Sequence, residues 1–194
     1  KIVIAGMTKE LEAVYVEEPL ALGVGVYAIY DFKEFNPKFL TAILNSKYLT
    51  FYFVNRFRHK HLAGGYLAIN KSTIEELPLV YFDKQIIFEI IVDYINFLKF
   101  DDKYNYMREF FERVIDIAVY ELYFKEELHS KGFGILEVLE SELIPFDNSF
   151  ETIDKVYKKL SDKNHKVAYN VNFIDTLDIV KTIENKWWIL LIEK

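Results

Sequence analysis

The chain has no cysteine, and only four prolines and seven glycines among its 194 residues. Without thiols there is no disulfide framework, no thiolate zinc site and no cysteine nucleophile, and a reducing cytoplasm is the compartment expected. A content of 52% hydrophobic and 17% aromatic residues excludes a low-complexity or disordered chain and provides for at least one buried core. Long apolar runs are missing as well. The longest stretch without a charged residue, Pro19 to Tyr30, is twelve residues, where a membrane-spanning helix needs about eighteen, so no membrane partner is expected. No signal-peptide pattern is legible. Residue 1 is lysine rather than methionine, and "KIVIAG" reads directly as a strand, so the chain is expected to be a piece of a longer polypeptide.

The most local absence is that of acid. The net charge is −6, yet residues 35 to 74 hold Lys38, Lys47, Arg56, Arg58, Lys60 and Lys71 with no Asp or Glu, a net of +6. Residues 1 to 34 carry a net of −3 and the last 120 a net of −9. Forty residues free of carboxylates in a chain with 30 of them predict an anion-facing surface. A mostly buried helix and strand, poor in charge of either sign, is the competing reading.

The hydrophobic pattern divides the chain. Up to about residue 80 the periods are mixed. Val, Ile and Tyr cluster in "KIVIAGM" and "LEAVYVEEPLALGVGVYAIYDF", punctuated by Gly6, Pro19, Gly23 and Gly25, which predicts several short strands. After Asn36-Pro37, the positions Phe39, Leu40, Ile43, Leu44, Tyr48 and Phe51 predict one face of a helix leading into the basic stretch. Gly64-Gly65 breaks the chain, "YLAI" pairs as a strand and Leu77-Pro78 closes the segment. Beyond it the pattern is helical. Asp83 is the expected N-cap of a helix with Ile86, Ile87, Ile90, Ile91, Tyr94 and Leu98 on its apolar face. A second helix, Tyr104 to Leu128, presents Met107, Phe110, Phe111, Val114, Ile115, Ala118 and Leu122, and the two are expected to pack antiparallel. A shorter helix follows Gly132-Phe133-Gly134 and ends before Pro145. Residues 150 to 160 and 173 to 193 add two more, the last with Leu177, Val180, Trp187 and Leu191 on one side. The fold class is therefore mixed α+β, a small α/β domain over 1–82, a helical spacer and docking region over 83–145, and C-terminal helices over 146–194 whose role the sequence leaves open.

Fragments that imitate catalytic motifs lack their context. Asn36-Pro37-Lys38-Phe39 is similar to the Asn-Pro-Pro-Tyr/Phe motif of amino methyltransferases, but Lys38 replaces the second proline and no glycine-rich cofactor loop precedes it. Gly23-Val-Gly25 lacks a third glycine. His59-Lys60-His61 puts a repelling cation between two possible ligands. Glu184-Asn-Lys186 lies in a helical pattern beside Trp187 and Trp188, which core packing explains. No nucleophile, base and oxyanion set converges, so no catalytic residue, metal or cofactor is expected in this chain.

The basic stretch suits a polyanion. Arg56, Arg58 and Lys60 would form a row on one side of an extended segment, and Gly64-Gly65 beside Tyr66 allows close backbone approach to a phosphate, with Tyr66 and Asn70 as hydrogen-bonding groups. Arg56 and Arg58 are the first candidates for base contacts, since arginine binds guanine bidentately. Lys47, Lys60 and Lys71 are candidates for phosphate contacts. His59 and His61 either donate to phosphate or are ordinary surface histidines. Composition suits duplex DNA, RNA and an acidic protein alike.

The order of three segments narrows this. "FLTAILNSKYLTFYF", "LAGGYLAINKSTIEELPLV" and "FDKQIIFEIIVDYINFLK", through Leu44, Asn45, Ser46, Gly64, Gly65, Leu77, Pro78 and Gln85, resemble the target-recognition domains of restriction-modification systems. Ile115, Asp116, Val119, Tyr120, Leu122 and Tyr123 resemble a segment near the C-terminus of combined restriction and methylation enzymes. Together these resemble the TaqI-like C-terminal specificity domain of type II enzymes that methylate adenine, and more distantly the type I specificity subunits. The resemblance covers about residues 1 to 145; the exit Leu-Pro-Leu-Val lacks the usual second proline, and residues 146 to 194 match nothing in it. It implies an α/β module that reads a short sequence in double-stranded DNA, beside a methyltransferase domain of the same polypeptide that binds S-adenosylmethionine. The rival from another class is a helical scaffold whose acidic helices bind a protein, with the basic strip docking internally.

Overall fold

A computed structural model describes residues 1–57 and 66–185. They fall into two bodies: Lys1–Tyr81 with the chain from Lys181 onward, and Phe82–Val180.

The first body starts from β1 (Ile2–Ala5), whose alternation buries Ile2 and Ile4. β1 is the centre of a three-stranded antiparallel sheet, between β3 (Ala13–Tyr15) and β4 (Val26–Ile29), with Val3 opposite both Val14 and Ala28. Past Ala5 the chain changes sheets. β2 (Met7–Thr8) pairs antiparallel with β5 (Leu67–Ala68), Met7 opposite Ala68 and Thr8 opposite Leu67. Gly6 is the joint: its N–H donates to the Gly25 carbonyl at 2.8 Å and its carbonyl accepts from Ile69 N–H at 3.1 Å. A Cβ there would lie 2.6 Å from the Gly25 oxygen, so only glycine lets the strands meet.

Helix α1 (Pro37–Leu44) begins where Asn36-Pro37 predicts it. Asn36 Oδ1 accepts from Lys38 and Phe39 N–H at 2.8 and 3.2 Å, and proline occupies the first turn. The helix does not run through. It ends at Asn45, and Ser46 caps a second helix, α2 (Lys47–Arg56), by accepting from Leu49 N–H at 3.2 Å. The reason is tertiary: Asn45 donates to Ala13 O at 2.8 Å and accepts from Ala13 N–H at 2.7 Å, as a neighbouring strand would. The break rotates the apolar face, so Leu49, Phe53 and Val54 are buried while the expected Tyr48 and Phe51 are half-buried. After β5, Asn70 and Thr73 form a reciprocal capping box for the short α3 (Lys71–Glu75).

The second body is helical. α4 (Ile86–Leu98) buries Ile87, Phe88, Ile90, Ile91, Tyr94 and Leu98 but leaves Ile86 exposed. Gln85 rather than Asp83 holds its N-cap position. A six-residue connection leads to α5 (Asn105–Tyr123), which packs on α4 with Tyr94 against Phe111, ring centroids 5.2 Å apart; so short a return between packed helices makes them antiparallel. The predicted helix to Leu128 breaks at Phe124, and α6 (Lys125–Ser130) follows. Gly132, at φ +82°, then ends α6 in the left-handed conformation that favours glycine. α7 (Leu136–Glu142) stops before Pro145, and α8 (Phe150–Leu160) buries Ile153, Val156 and Leu160. α9 (Lys166–Phe173), which the sequence pattern did not predict, is capped by His165: Nδ1 accepts from Val167 N–H at 3.1 Å, which leaves Nε2–H to donate to Glu142 at 2.9 Å. The predicted helix over 173–193 is a single turn at Ile174–Thr176 followed by α10 (Asp178–Glu184), whose residues from Lys181 onward count with the first body; Leu177 and Val180 are buried, and Trp187 and Leu191 lie outside the described residues. Among the described residues no helix is long and apolar enough to cross a membrane.

Candidate nucleic-acid interface

The acid-free stretch acquires acid partners once the chain folds. Lys47, exposed at the start of α2, lies with Nζ 3.1 Å from Glu184 Oε2. Arg56, in the last turn of the same helix, lies 3.0 Å from Glu76 and 5.8 Å from the Phe57 ring centroid. Lys71 faces Glu75 one turn on, at 3.7 Å. These are surface ion pairs, each contributing at most about 1 kcal/mol, and a polyanion can displace such carboxylates. Arg56 is helical, so the period-two row predicted for extended chain does not begin with it.

The remaining candidates divide. Asn70 Oδ1 accepts from Thr73 N–H at 3.2 Å and from the Ser72 hydroxyl at 2.8 Å, so its first task is to start α3. Tyr66 is exposed, directly before β5. Arg58, His59, Lys60, His61, Gly64 and Gly65 lie outside the described residues, and so does the possible His59–His61 ligand pair. Among the described residues no three His, Asp or Glu side chains are grouped to hold a metal ion.

One cation from elsewhere in the sequence approaches Tyr66. Lys9, following β2, places Nζ 5.9 Å from the Tyr66 ring centroid. It sits in the acidic first 34 residues, and only the pairing of β2 with β5 makes it a neighbour of residue 66. The signal was Gly6, a glycine between two short β-patterned pieces, which marks a close approach but not its partner.

A polar recess lies in the second body, lined by Glu121, His129, Gly132, Gly134, Glu137 and Lys166 and holding about 120 Å³. Its central carboxylate is committed. Glu121, on α5 and buried, accepts from Ile135 N–H at 2.6 Å, Leu136 N–H at 2.9 Å and His129 Nε2 at 2.7 Å. Through these bonds it caps the N-terminus of α7 from a different helix. Both oxygens being occupied, the arrangement is structural. Nearby, burial acts to raise Glu142, but hydrogen bonds from His165 and Lys159 outweigh it and hold the carboxyl below its ordinary range. Burial pushes the Tyr94 hydroxyl up to about 12, and it donates to the Ile144 carbonyl.

Compared with known families, residues 1–79 match the model of the TaqI-like C-terminal specificity domain. Over that region the chain is similar to the DNA-recognising specificity domains of restriction-modification enzymes. The match ends close to the boundary of the first body and leaves α4 to α9 outside it, including Ile115 to Tyr123. No curated protein and no solved structure matches the chain.

Proposed function

We propose that this chain is the sequence-reading part of a restriction-modification enzyme, non-catalytic by itself. Double-stranded DNA is its ligand, and a methyltransferase domain of the same polypeptide, supplied with S-adenosylmethionine, is its working partner. The observation that carries the reading is coincidence: the segment matching the specificity domain, residues 1–79, contains the whole acid-free basic stretch. In this reading Arg56 and Arg58 address base edges, Lys47, Lys60 and Lys71 address phosphates, and Gly64, Gly65 and Tyr66 admit the backbone, with His59, His61 and Asn70 as neighbouring donors. The second body spaces and docks the reader against the methyltransferase domain; its net charge of −8 keeps it off the DNA.

The test is fluorescence anisotropy of labelled random-sequence duplex DNA with the whole chain, from low to moderate salt, beside the triple variant Arg56→Glu, Arg58→Glu, Lys60→Glu. Binding by wild type should weaken steeply with salt. If all six cations of the stretch neutralise phosphates, log K falls against log salt with a slope of about −5. The variant, folded by circular dichroism, should lose that binding. Salt-sensitive binding retained by the variant would move the surface off this stretch, and no binding by wild type at low salt would sink the reading.

A further inference from the structure

We propose that the outward face of the β2–β5 ribbon is part of the duplex-contacting surface, with Lys9 making a phosphate contact and Tyr66 holding it in place. The proposal rests on the DNA reading above and adds residues from a part of the chain where composition points the other way.

The ribbon has two unlike faces. In an antiparallel pair, residues directly opposite each other share a face and successive pairs alternate. Thr8 and Leu67 form the inward pair, with Leu67 fully buried, and Ile69 beyond it is buried as well. Met7 with Ala68 is the outward pair, and Lys9, one residue past the end of the ladder, brings its Nζ to 5.9 Å from the ring centroid of Tyr66. Exposure agrees: Met7 is 62% and Tyr66 40% exposed, and Lys9 is exposed. The face is fixed by the backbone bonds of Gly6 to Gly25 and Ile69, so it is presented by a rigid frame.

Two features select this face for a nucleic acid. First, among the described residues no carboxylate pairs with Lys9, whereas Lys47, Arg56 and Lys71 each have one. Its ammonium rests over an aromatic ring, an arrangement that orients the charge without neutralising it. Glu10 follows at once in the chain, so orientation over Tyr66 rather than local net charge is what distinguishes this lysine. Second, a two-stranded ribbon, with strands about 4.8 Å apart, fits a major groove about 12 Å wide, with phosphates at its rim within reach of a lysine. Met7 and Ala68 then face the groove floor as apolar side chains able to meet a thymine methyl.

The experiment is the same anisotropy titration on the whole chain, comparing wild type, Lys9→Gln and the charge-matched control Lys163→Gln in the second body. Loss of one phosphate contact should make the salt slope less negative by about 0.9 and lower affinity about fivefold near 0.15 M salt, for Lys9→Gln alone. Tyr66→Phe should keep the wild-type slope and Tyr66→Leu should move it toward that of Lys9→Gln. A Lys9→Gln titration that superimposes on wild type, or a shift reproduced by Lys163→Gln, overturns this proposal and leaves the DNA reading standing. Absence of salt-sensitive binding by wild type overturns both.

Discussion

The two bodies carry the same number of cations, twelve lysines and arginines each, and differ only in acid: ten carboxylates in Lys1–Tyr81 with Lys181–Lys194 against twenty in Phe82–Val180. What makes the first body basic is therefore carboxylate withheld, not lysine added. The carboxylates also do different work. In the second body they hold structure: Glu121 caps α7, Glu142 joins His165 and Lys159, and Asp175 meets Arg113. In the first, Glu75, Glu76 and Glu184 sit beside cations on the surface, where, in the DNA reading proposed above, an incoming polyanion would compete with them.

This contrast can be broken most forcefully at Glu121. Glu121→Ala leaves two buried N–H groups without an acceptor and should destabilise the second body by about 3 kcal/mol, read as a lower urea midpoint, while random-duplex affinity at temperatures where the chain stays folded is unchanged. An unaltered midpoint would deny Glu121 its capping role. The surface carboxylates should behave in the opposite sense. The double variant Glu75→Gln, Glu76→Gln should tighten DNA binding several-fold while stability shifts by no more than about 1 kcal/mol; weaker binding would mean that these acids position Arg56 and Lys71 instead of screening them. The smallest effect is expected from Glu142. Its folded carboxyl is held below its ordinary value, so its contribution is fully present above the unfolded value of about 4.3 and is lost as pH falls through the folded one. The melting-temperature gap between wild type and Glu142→Gln should persist from pH 7 down to about 4.3 and close below it. A gap that widened in acid would reverse the sign.

The same contrast explains what could be read from the chain. The helices of the second body were legible because their burial is periodic: Ile87, Ile90, Ile91, Tyr94 and Leu98 follow from spacing alone, while in the first body the start of α1 was legible from a capping residue followed by proline, Asn36-Pro37. What escaped was decided by partners far along the chain. An unbroken apolar period conceals the joint at Asn45-Ser46, because the cause is Ala13, 32 residues away. α9 was missed because its cap is a histidine, outside the usual capping residues. For the candidate surface, counting charges located the stretch around Arg56 but could not supply Glu76, Glu184 or Lys9, which only the fold brings to it.

Gly6 gives the ribbon a property of modular hardware. Because the ribbon is fastened by main-chain atoms on one side and by Leu67 on the other, positions 7, 9, 66 and 68 form a socket whose contents can be exchanged while the fastening stays the same. A library randomised at those four positions leaves Ile2, Ile4, Leu67 and Ile69 in place, so new surface chemistry can be tried there without renegotiating the fold.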